Sequence, residues 1–504
     1  MTSGKGRPSC GERVVYLSSG RQDFSHRKPI MPDVKISETN PIHYQDATTL
    51  AALIRTKEVS SREVVQAHID RVAAVNPRIN AVVTLMAADA LAAADAADKA
   101  VADGADLGPL HGVPFSIKDA LDTAGVLTQR GSKLFAGHVP TTDATAVARY
   151  KAAGGIPLMK TNLPEFSAWT ETDNLLTGRT NNPWNLARTP GGSSGGESAA
   201  IAAGLSPIGI GSDVAISVRG PAAFTGIAAL KATQGRVPYT GHYPSIIRRW
   251  WHVGAMARTV GDVALGYSIL KGPDGVDGYA VHPRDADAGA SRIPGRPLRI
   301  GWVADAAFGP VDPEIVAAVA SAASRLADLG HEVEPVTLPF LGNPLGALMT
   351  LIYAEIVPSI KALAAGREGE LHAIGAGIVG MADPAFADFL AAEAQGEDLR
   401  SAFAGFFERY DVLLTPVNPM TATPHGAQEL VVGGVTVPWT HVMAATSPFN
   451  LTGLPALSVP YAFSSEQLPI GIQLVGKWLD EATLLRLGAM LERKGGLGDR
   501  HPAL

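Results

Sequence analysis

Gly191-Gly-Ser-Ser-Gly-Gly-Glu197, running on into Ser198-Ala-Ala-Ile-Ala-Ala203, is the densest signal in the chain. Four glycines let a backbone turn tightly and lie close against a ligand. Two adjacent hydroxyls stand where an Ala-rich helix begins. These residues alone leave three readings open: a turn that starts a helix, an anion cradle built on first-turn N–H groups, or a nucleophile site. Gly191-x-Ser193-x-Gly195 fits the elbow that carries a nucleophilic serine out of a hydrophobic strand. The preceding stretch, Asn182-Pro-Trp-Asn-Leu-Ala-Arg-Thr-Pro190, is no strand, so the elbow reading fails. No Gly-Lys-Ser/Thr follows, which excludes a P-loop.

Outward from this loop, helix and strand signals alternate. Ser60-x-x-Glu63 is a capping box and predicts a helix to about residue 75, stopped by Asn76-Pro77. Helices are expected over 87–102, 144–153, 313–329 and 481–491, and 191–204 as a glycine loop that continues into an Ala-rich helix. Strands are expected over 113–118, 156–159, 298–302, 412–414, 457–459 and 472–475. This order predicts an α/β fold, a mixed twisted sheet with helices on both faces. Residues 1–30 hold six Lys/Arg against two acids and no apolar period, and read as a flexible leader, a vector scar or an upstream mis-start. No Gly/Ser or Pro linker divides the rest, so 31–504 is expected to be one catalytic domain, with 341–409 a possible helical lobe.

Composition sets the outer bounds. At 504 residues and 46% hydrophobic, the chain is large enough for a substantial core and too apolar for disorder. A net charge of −6 argues against a nucleic-acid protein. The single cysteine, Cys10, excludes an intrachain disulfide framework and fits a reducing, cytoplasmic setting. No uninterrupted apolar run reaches about 18 residues, so no membrane span is expected.

Two further segments carry chemistry. Gly209-Ile-Gly-Ser-Asp213-Val-Ala-Ile-Ser217-Val-Arg219-Gly-Pro221 places a serine in a loop after an apolar stretch, flanked by an acid and a base. His111-Gly-Val-Pro-Phe-Ser-Ile-Lys118-Asp119 embeds a lysine in an apolar strand; alone, it also fits a surface lysine on an edge strand. Taken together, the three segments resemble the amidase signature family. Lys118 precedes Ser193 by 75 residues, and Ser217 follows it by 24. The likeness continues through Asn76-Pro-x-x-Asn80-Ala, Lys160-Thr-Asn-Leu-Pro-Glu-Phe166, Leu230-Lys-Ala-Thr-Gln-Gly-Arg-Val-Pro238 and Asn450-Leu-Thr-Gly-Leu-Pro-Ala456, over about 45–495.

The resemblance implies Ser217 as nucleophile, Ser193 as the bridging serine after a cis Gly192–Ser193 peptide, and Lys118 as base. A serine hydroxyl needs a base at neutral pH, and burial makes a lysine available by disfavouring its ammonium. The family implies Ser194 as a supporting hydrogen-bonding residue, Asp213 and Arg219 as braces of the nucleophile loop, and the N–H groups of Val214, Ala215, Ile216 and Ser217 as an oxyanion hole. It implies no metal and no cofactor. Where the family usually has Gly-Gly before the nucleophile, this chain has Ala215-Ile216. Gly220 stands where a larger residue is common, and would open compensating room.

The resemblance covers amidases, aryl acylamidases and urethanases, and leads us to expect a small apolar or aryl amide or carbamate substrate together with water. Trp250, Trp251, Arg236, Phe166 and Trp169 are the candidate pocket residues, with core packing the alternative for Trp250 and Trp251. A monomer or homodimer is expected, with no nucleic-acid partner. The rivals are a glutamyl-tRNA amidotransferase component working in a complex, and a non-catalytic family member.

Overall fold

The computed structural model describes residues 41–281, 296–304, 307–494, 497 and 500–504; the expected leader lies outside them. In chain order the strands are β1 (Val82–Leu85), β2 (Pro114–Lys118), β3 (Ile156–Thr161), β4 (Ile208–Asp213), β5 (Ala228–Lys231), β6 (His252–Ala257) and β7 (Arg299–Trp302). They continue with β8 (Glu332–Pro335), β9 (Val412–Pro416), β10 (Glu429–Val432), β11 (Val435–Pro438), β12 (Ala456–Phe463) and β13 (Pro469–Gly476). Eleven of them form one sheet in the order β1-β3-β2-β4-β6-β5-β12-β13-β9-β7-β8, while β10 and β11 pair separately. The pairs β2–β3, β2–β4, β7–β8 and β7–β9 are parallel and the remainder antiparallel, so the sheet is mixed as expected.

Every residue of β2, β4, β6, β9 and β13 is buried. A strand buried on both faces has helices on both. The helices Gly195–Ala202 and Arg219–Thr225 pack on this central region, as do Val260–Leu270, Pro313–Asp328 and Glu481–Lys494.

One helix boundary differs from expectation. The capping box forms, with the Ser60 hydroxyl accepting from the Glu63 N–H and the Glu63 carboxylate accepting from the Ser60 N–H at 2.8 Å. The helix then runs through Pro77 to Ile79 and ends on Asn80 in the left-handed conformation. A proline in the last turn removes only one donor. The Asn76 side chain meanwhile accepts from the Ala81 and Val82 N–H groups and carries the chain into β1.

Residues 341–409 form three helices, Pro344–Ala364, Ala373–Gly380 and Phe386–Arg409. Among the described residues, Pro344–Ala364 is the one helix long and apolar enough to cross a membrane. Here it packs on Phe386–Arg409 and on the short helix Ser447–Leu451, burying Leu348, Leu351 and Ile360. Its composition therefore answers a protein interior and a cavity wall.

Candidate active site

Parallel pairing of β2 with β4, Ile117 opposite Ile210, brings the C-terminal ends of both strands to one corner of the sheet. In α/β folds such carboxyl ends are where ligands bind. Lys118 ends β2 and Asp213 ends β4. The loop before the helix Gly195–Ala202 fills the same corner. Its backbone runs so close to Glu171 that a Cβ at Gly192 would lie 2.7 Å from the Glu171 nitrogen, and only glycine permits that approach. The Gly192–Ser193 peptide is cis.

Lys118 is fully buried. Its Nζ lies 2.7 Å from Ser193 Oγ, 3.0 Å from Ser212 Oγ and 3.5 Å from the Ser212 carbonyl. Burial brings its pKa down to about 7, against the upward pull of the Asp213 and Glu197 carboxylates. Asp119, its sequence neighbour, faces elsewhere. It accepts from the Gln129 and Arg130 N–H groups and pairs with Lys160 at 3.4 Å. Glu197 accepts from the hydroxyls of Ser116 and Thr161, and burial raises its pKa to about 7.

The loop carrying Ser217 is tied to the loop carrying Ser193, because the Ser194 N–H donates to the Ser217 carbonyl at 3.2 Å. The Ser194 hydroxyl donates to the Ser212 carbonyl at 3.2 Å. Among the described residues, no hydrogen bond joins the Ser193 and Ser217 hydroxyls. Nor does a protein acceptor meet the N–H groups of Val214, Ala215, Ile216 or Ser217, which leaves these donors available. Next to them, Asp213 accepts from Arg219 Nε and Nη2 at 3.0 Å, from the Val218 N–H at 3.1 Å and from the Asn450 amide at 2.9 Å. Arg219 also donates to the Thr446 carbonyl, the Gln473 side chain and the Asn450 side chain. Burial by itself raises the Asp213 carboxyl, but the guanidinium and these hydrogen bonds hold it well below the usual carboxylate range. A buried pair this fully satisfied fixes geometry, and removing one partner strands a buried charge.

Ser217, Val214, Ala215 and Ile216 open onto a cavity of about 200 Å³. Its other walls are Trp251, Ile247, Trp169 and Trp439, with Met349, Ile352, Tyr353, Ile356, Ile374, Ile378 and Met443 from later in the chain. No charged side chain lines it among the described residues. The rings of Trp169 and Trp439 approach to 3.9 Å between centroids.

Three of the expected pocket residues sit elsewhere. Arg236 is buried away from the cavity, donating to the Tyr267 hydroxyl at 2.9 Å and pairing with Glu481 at 3.8 Å. Trp250 is buried beneath the loop, with the Arg249 guanidinium 4.5 Å over its ring, and is not a cavity residue. Phe166 is also buried, its ring against Phe135 and Tyr243; Trp169, also expected at the pocket, does line the cavity, with Ser167 and Ala168 beside it. The loop holding Trp251 is pinned: the Ile247 N–H donates to Glu355 at 2.8 Å and Arg249 pairs with Glu393. The sequence reading missed Ser212, His242 and the entire wall from 349–378. Ser212 sat inside a quoted motif, whereas nothing in the sequence marks His242.

Comparison with known proteins places this geometry. The amidase family model matches residues 63–485. An acylamidase of Rhodococcus erythropolis is 35% identical over 92% of this chain and 98% of its own length. The amidase-family component of the glutamyl-tRNA(Gln) amidotransferase of Acidothermus cellulolyticus is 36% identical over 88% and 93% respectively. The solved structure of 6-aminohexanoate cyclic dimer hydrolase with its substrate superposes with a TM-score of 0.82 at 32% identity, covering 92% of this chain and 99% of that one. The chain belongs to the amidase family, and it is an amide hydrolase.

Proposed function

We propose that this amidase-family chain hydrolyses small apolar and aryl amides, and aryl carbamates, through an acyl-enzyme on Ser217. The observation that carries the reading is a cavity that holds Ser217 and is walled almost wholly by apolar and aromatic side chains. An aromatic ring buried against such walls gains about 2 kcal/mol. That is enough to favour aryl over small primary amides by roughly tenfold or more.

In this mechanism neutral Lys118 takes the Ser193 proton while Ser193 takes that of Ser217. The relay runs when the Ser217 and Ser193 hydroxyls meet in the substrate complex; catalytic hydrogen bonds commonly tighten only once substrate is bound. The Ser217 oxygen attacks the carbonyl, whose developing oxyanion is met by N–H groups of the Val214–Ser217 loop, each donor worth about 3 kcal/mol. Collapse breaks the C–N bond, and the proton held by Lys118 returns through Ser193 to the departing amine. Water then cleaves the ester by the reverse relay. With a carbamate, the amine leaves first, and the alkoxycarbonyl-Ser217 ester is hydrolysed to carbon dioxide and an alcohol.

The kinship with the amidotransferase component supports a second reading, a chain working in a complex on glutamine. A zwitterionic amino acid would bury two charges against walls that offer no counter-charge, at a cost of several kcal/mol. A panel of anilides, aryl carbamates, acetamide-like amides and glutamine, run on the chain purified alone, separates the two. Preference for the aryl substrates supports the first reading; glutamine hydrolysis without anilide hydrolysis overturns it. Ser217→Ala should abolish labelling by a fluorophosphonate, and full labelling of that variant would place the nucleophile elsewhere. Alanine at Lys118, Ser193 or Ser217 should each lower kcat by orders of magnitude, with losses that do not add.

A further inference from the structure

Lys118 Nζ has three oxygens around it: Ser193 Oγ at 2.7 Å, Ser212 Oγ at 3.0 Å and the Ser212 carbonyl at 3.5 Å. An ammonium donates to all three. A neutral amine has two N–H groups and one lone pair, so which oxygen faces the lone pair decides whether it can act as a base on Ser193. The carbonyl only accepts, so it always takes an N–H. Ser212 Oγ either accepts from Lys118 or donates to it. Only if it accepts does the lone pair remain for the Ser193 proton.

His242 decides between these two states. Its Nε2 lies 2.7 Å from Ser212 Oγ, and it is buried with its ring tilted against those of Tyr239 and Trp251, at 4.5 and 4.9 Å between centroids. The Ser212 hydroxyl sits between Lys118 Nζ and His242 Nε2; facing an ammonium, which only donates, its one proton can go only to Nε2, so the ring carries its own proton on Nδ1. Nε2 is then an acceptor, and the Ser212 hydroxyl donates to it. Burial first, with Lys118 and Arg130 adding to it, holds the ring in its neutral form. We infer that His242 is a positioning residue: by accepting the Ser212 hydroxyl proton, it turns an oxygen lone pair toward Lys118 and leaves the lysine's own lone pair facing Ser193. The inference rests on the Lys118–Ser193–Ser217 reading proposed above.

The charged and titratable groups that act on Lys118 are Asp213 at the end of β4, Glu197 on the helix Gly195–Ala202, and His242 itself. Those acting on His242 are Lys118 and Arg130, with the Tyr239 ring tilted against it. An oxygen locked as acceptor favours the ammonium, so unlocking it lowers the lysine's pKa.

The test measures kcat and KM against pH, with an anilide, for wild type, His242→Phe, His242→Gln and Ser212→Ala. Phenylalanine keeps a ring for Tyr239 and Trp251 but has no acceptor, whereas glutamine supplies one. His242→Phe should lower the plateau kcat about tenfold or more with KM within about threefold, and its rate profile should begin at lower pH by roughly half a unit. His242→Gln should restore most of both. Ser212→Ala should move the profile the same way, and His242→Phe added to it should cost little more. Wild-type kcat and midpoint in His242→Phe would overturn the inference. So would equal impairment of His242→Phe and His242→Gln without movement of the midpoint, or additive losses in the double variant. Should His242→Phe fail to fold, the Gln and Ser212→Ala profiles decide alone: an unmoved midpoint in Ser212→Ala overturns the inference. Lys118→Ala labelled by fluorophosphonate at the wild-type rate would instead bring down the underlying catalytic reading, and the inference with it.

Discussion

Lys118 shows how a single residue's surroundings set the pH at which it gives up its proton. Desolvation outweighs two nearby carboxylates and leaves the amine titrating at about 7, against about 10.4 for a free lysine. The sign follows directly. Below about 7 the ammonium cannot accept a proton, and above it the neutral amine can. We expect kcat/KM to rise through that pH and stay level on the alkaline side; a maximum in acid would contradict a lysine base. The pair Ile216 and Gly220 works at the same scale. A Cβ added at Gly220 would lie 2.7 Å from Ile216 Cδ1, so Ile216 occupies the room that a side chain at position 220 would need. Gly220→Ala should therefore push Ile216 toward the cavity and raise KM for bulky acyl groups several-fold. Ile216→Ala should cancel most of that effect, giving a coupling of about 1–2 kcal/mol in a double-mutant cycle. Strictly additive KM changes would show that the two do not share space.

At the scale of elements, the loop between Tyr243 and Trp251 puts adjacent tryptophans to different uses. Trp251 faces the cavity, while Trp250 is buried under the Arg249–Glu393 pair. Trp251→Ala should erode the preference for aryl over small amides about tenfold, in addition to the stability lost with a buried ring. Trp250→Ala should leave that ratio intact and cost about 3–5 kcal/mol of stability, as large-to-small core changes do, read as a drop in denaturation midpoint. The reverse pattern would reassign both residues. This loop also shows where the sequence ceases to be informative. A capping box, an Ala-rich helix or an apolar strand such as Pro114–Lys118 declares itself locally, because its period or its cap is written in neighbouring residues. Lys118, Ser193 and Ser217 are legible through their motifs and separations. An irregular loop has no period to say which of two tryptophans points inward, and Phe166 and Arg236 satisfy every rule for a pocket residue while being claimed by the core. His242 acquires meaning only because β4 and the loop after β5 bring it to Ser212.

The molecule as a whole builds its reaction chamber from distant parts. The sheet corner supplies the lysine and the serines, and the helices Pro344–Ala364 and Ala373–Gly380, more than a hundred residues later, supply the apolar wall opposite. On the proposed function the chemistry and the substrate preference are encoded separately, so a change in the wall should alter selection without altering the serines. Ile374 is suited to test this because it lines the cavity and is only partly buried, so a polar replacement there strains the core little. Replacing it by asparagine exchanges apolar contact for an amide that an aryl substrate cannot satisfy, a cost of about 1–3 kcal/mol. Ile374→Asn should therefore lower kcat/KM for anilides and aryl carbamates about tenfold, mainly through KM. Hydrolysis of a small acetamide-like substrate and labelling of Ser217 by a compact fluorophosphonate should stay within about threefold of wild type. A parallel fall in all three rates would show that this wall holds the nucleophile loop in place and does not select the substrate. Unchanged anilide kinetics would move the aryl-binding surface away from the Ala373–Gly380 helix, toward Trp169 and Trp439.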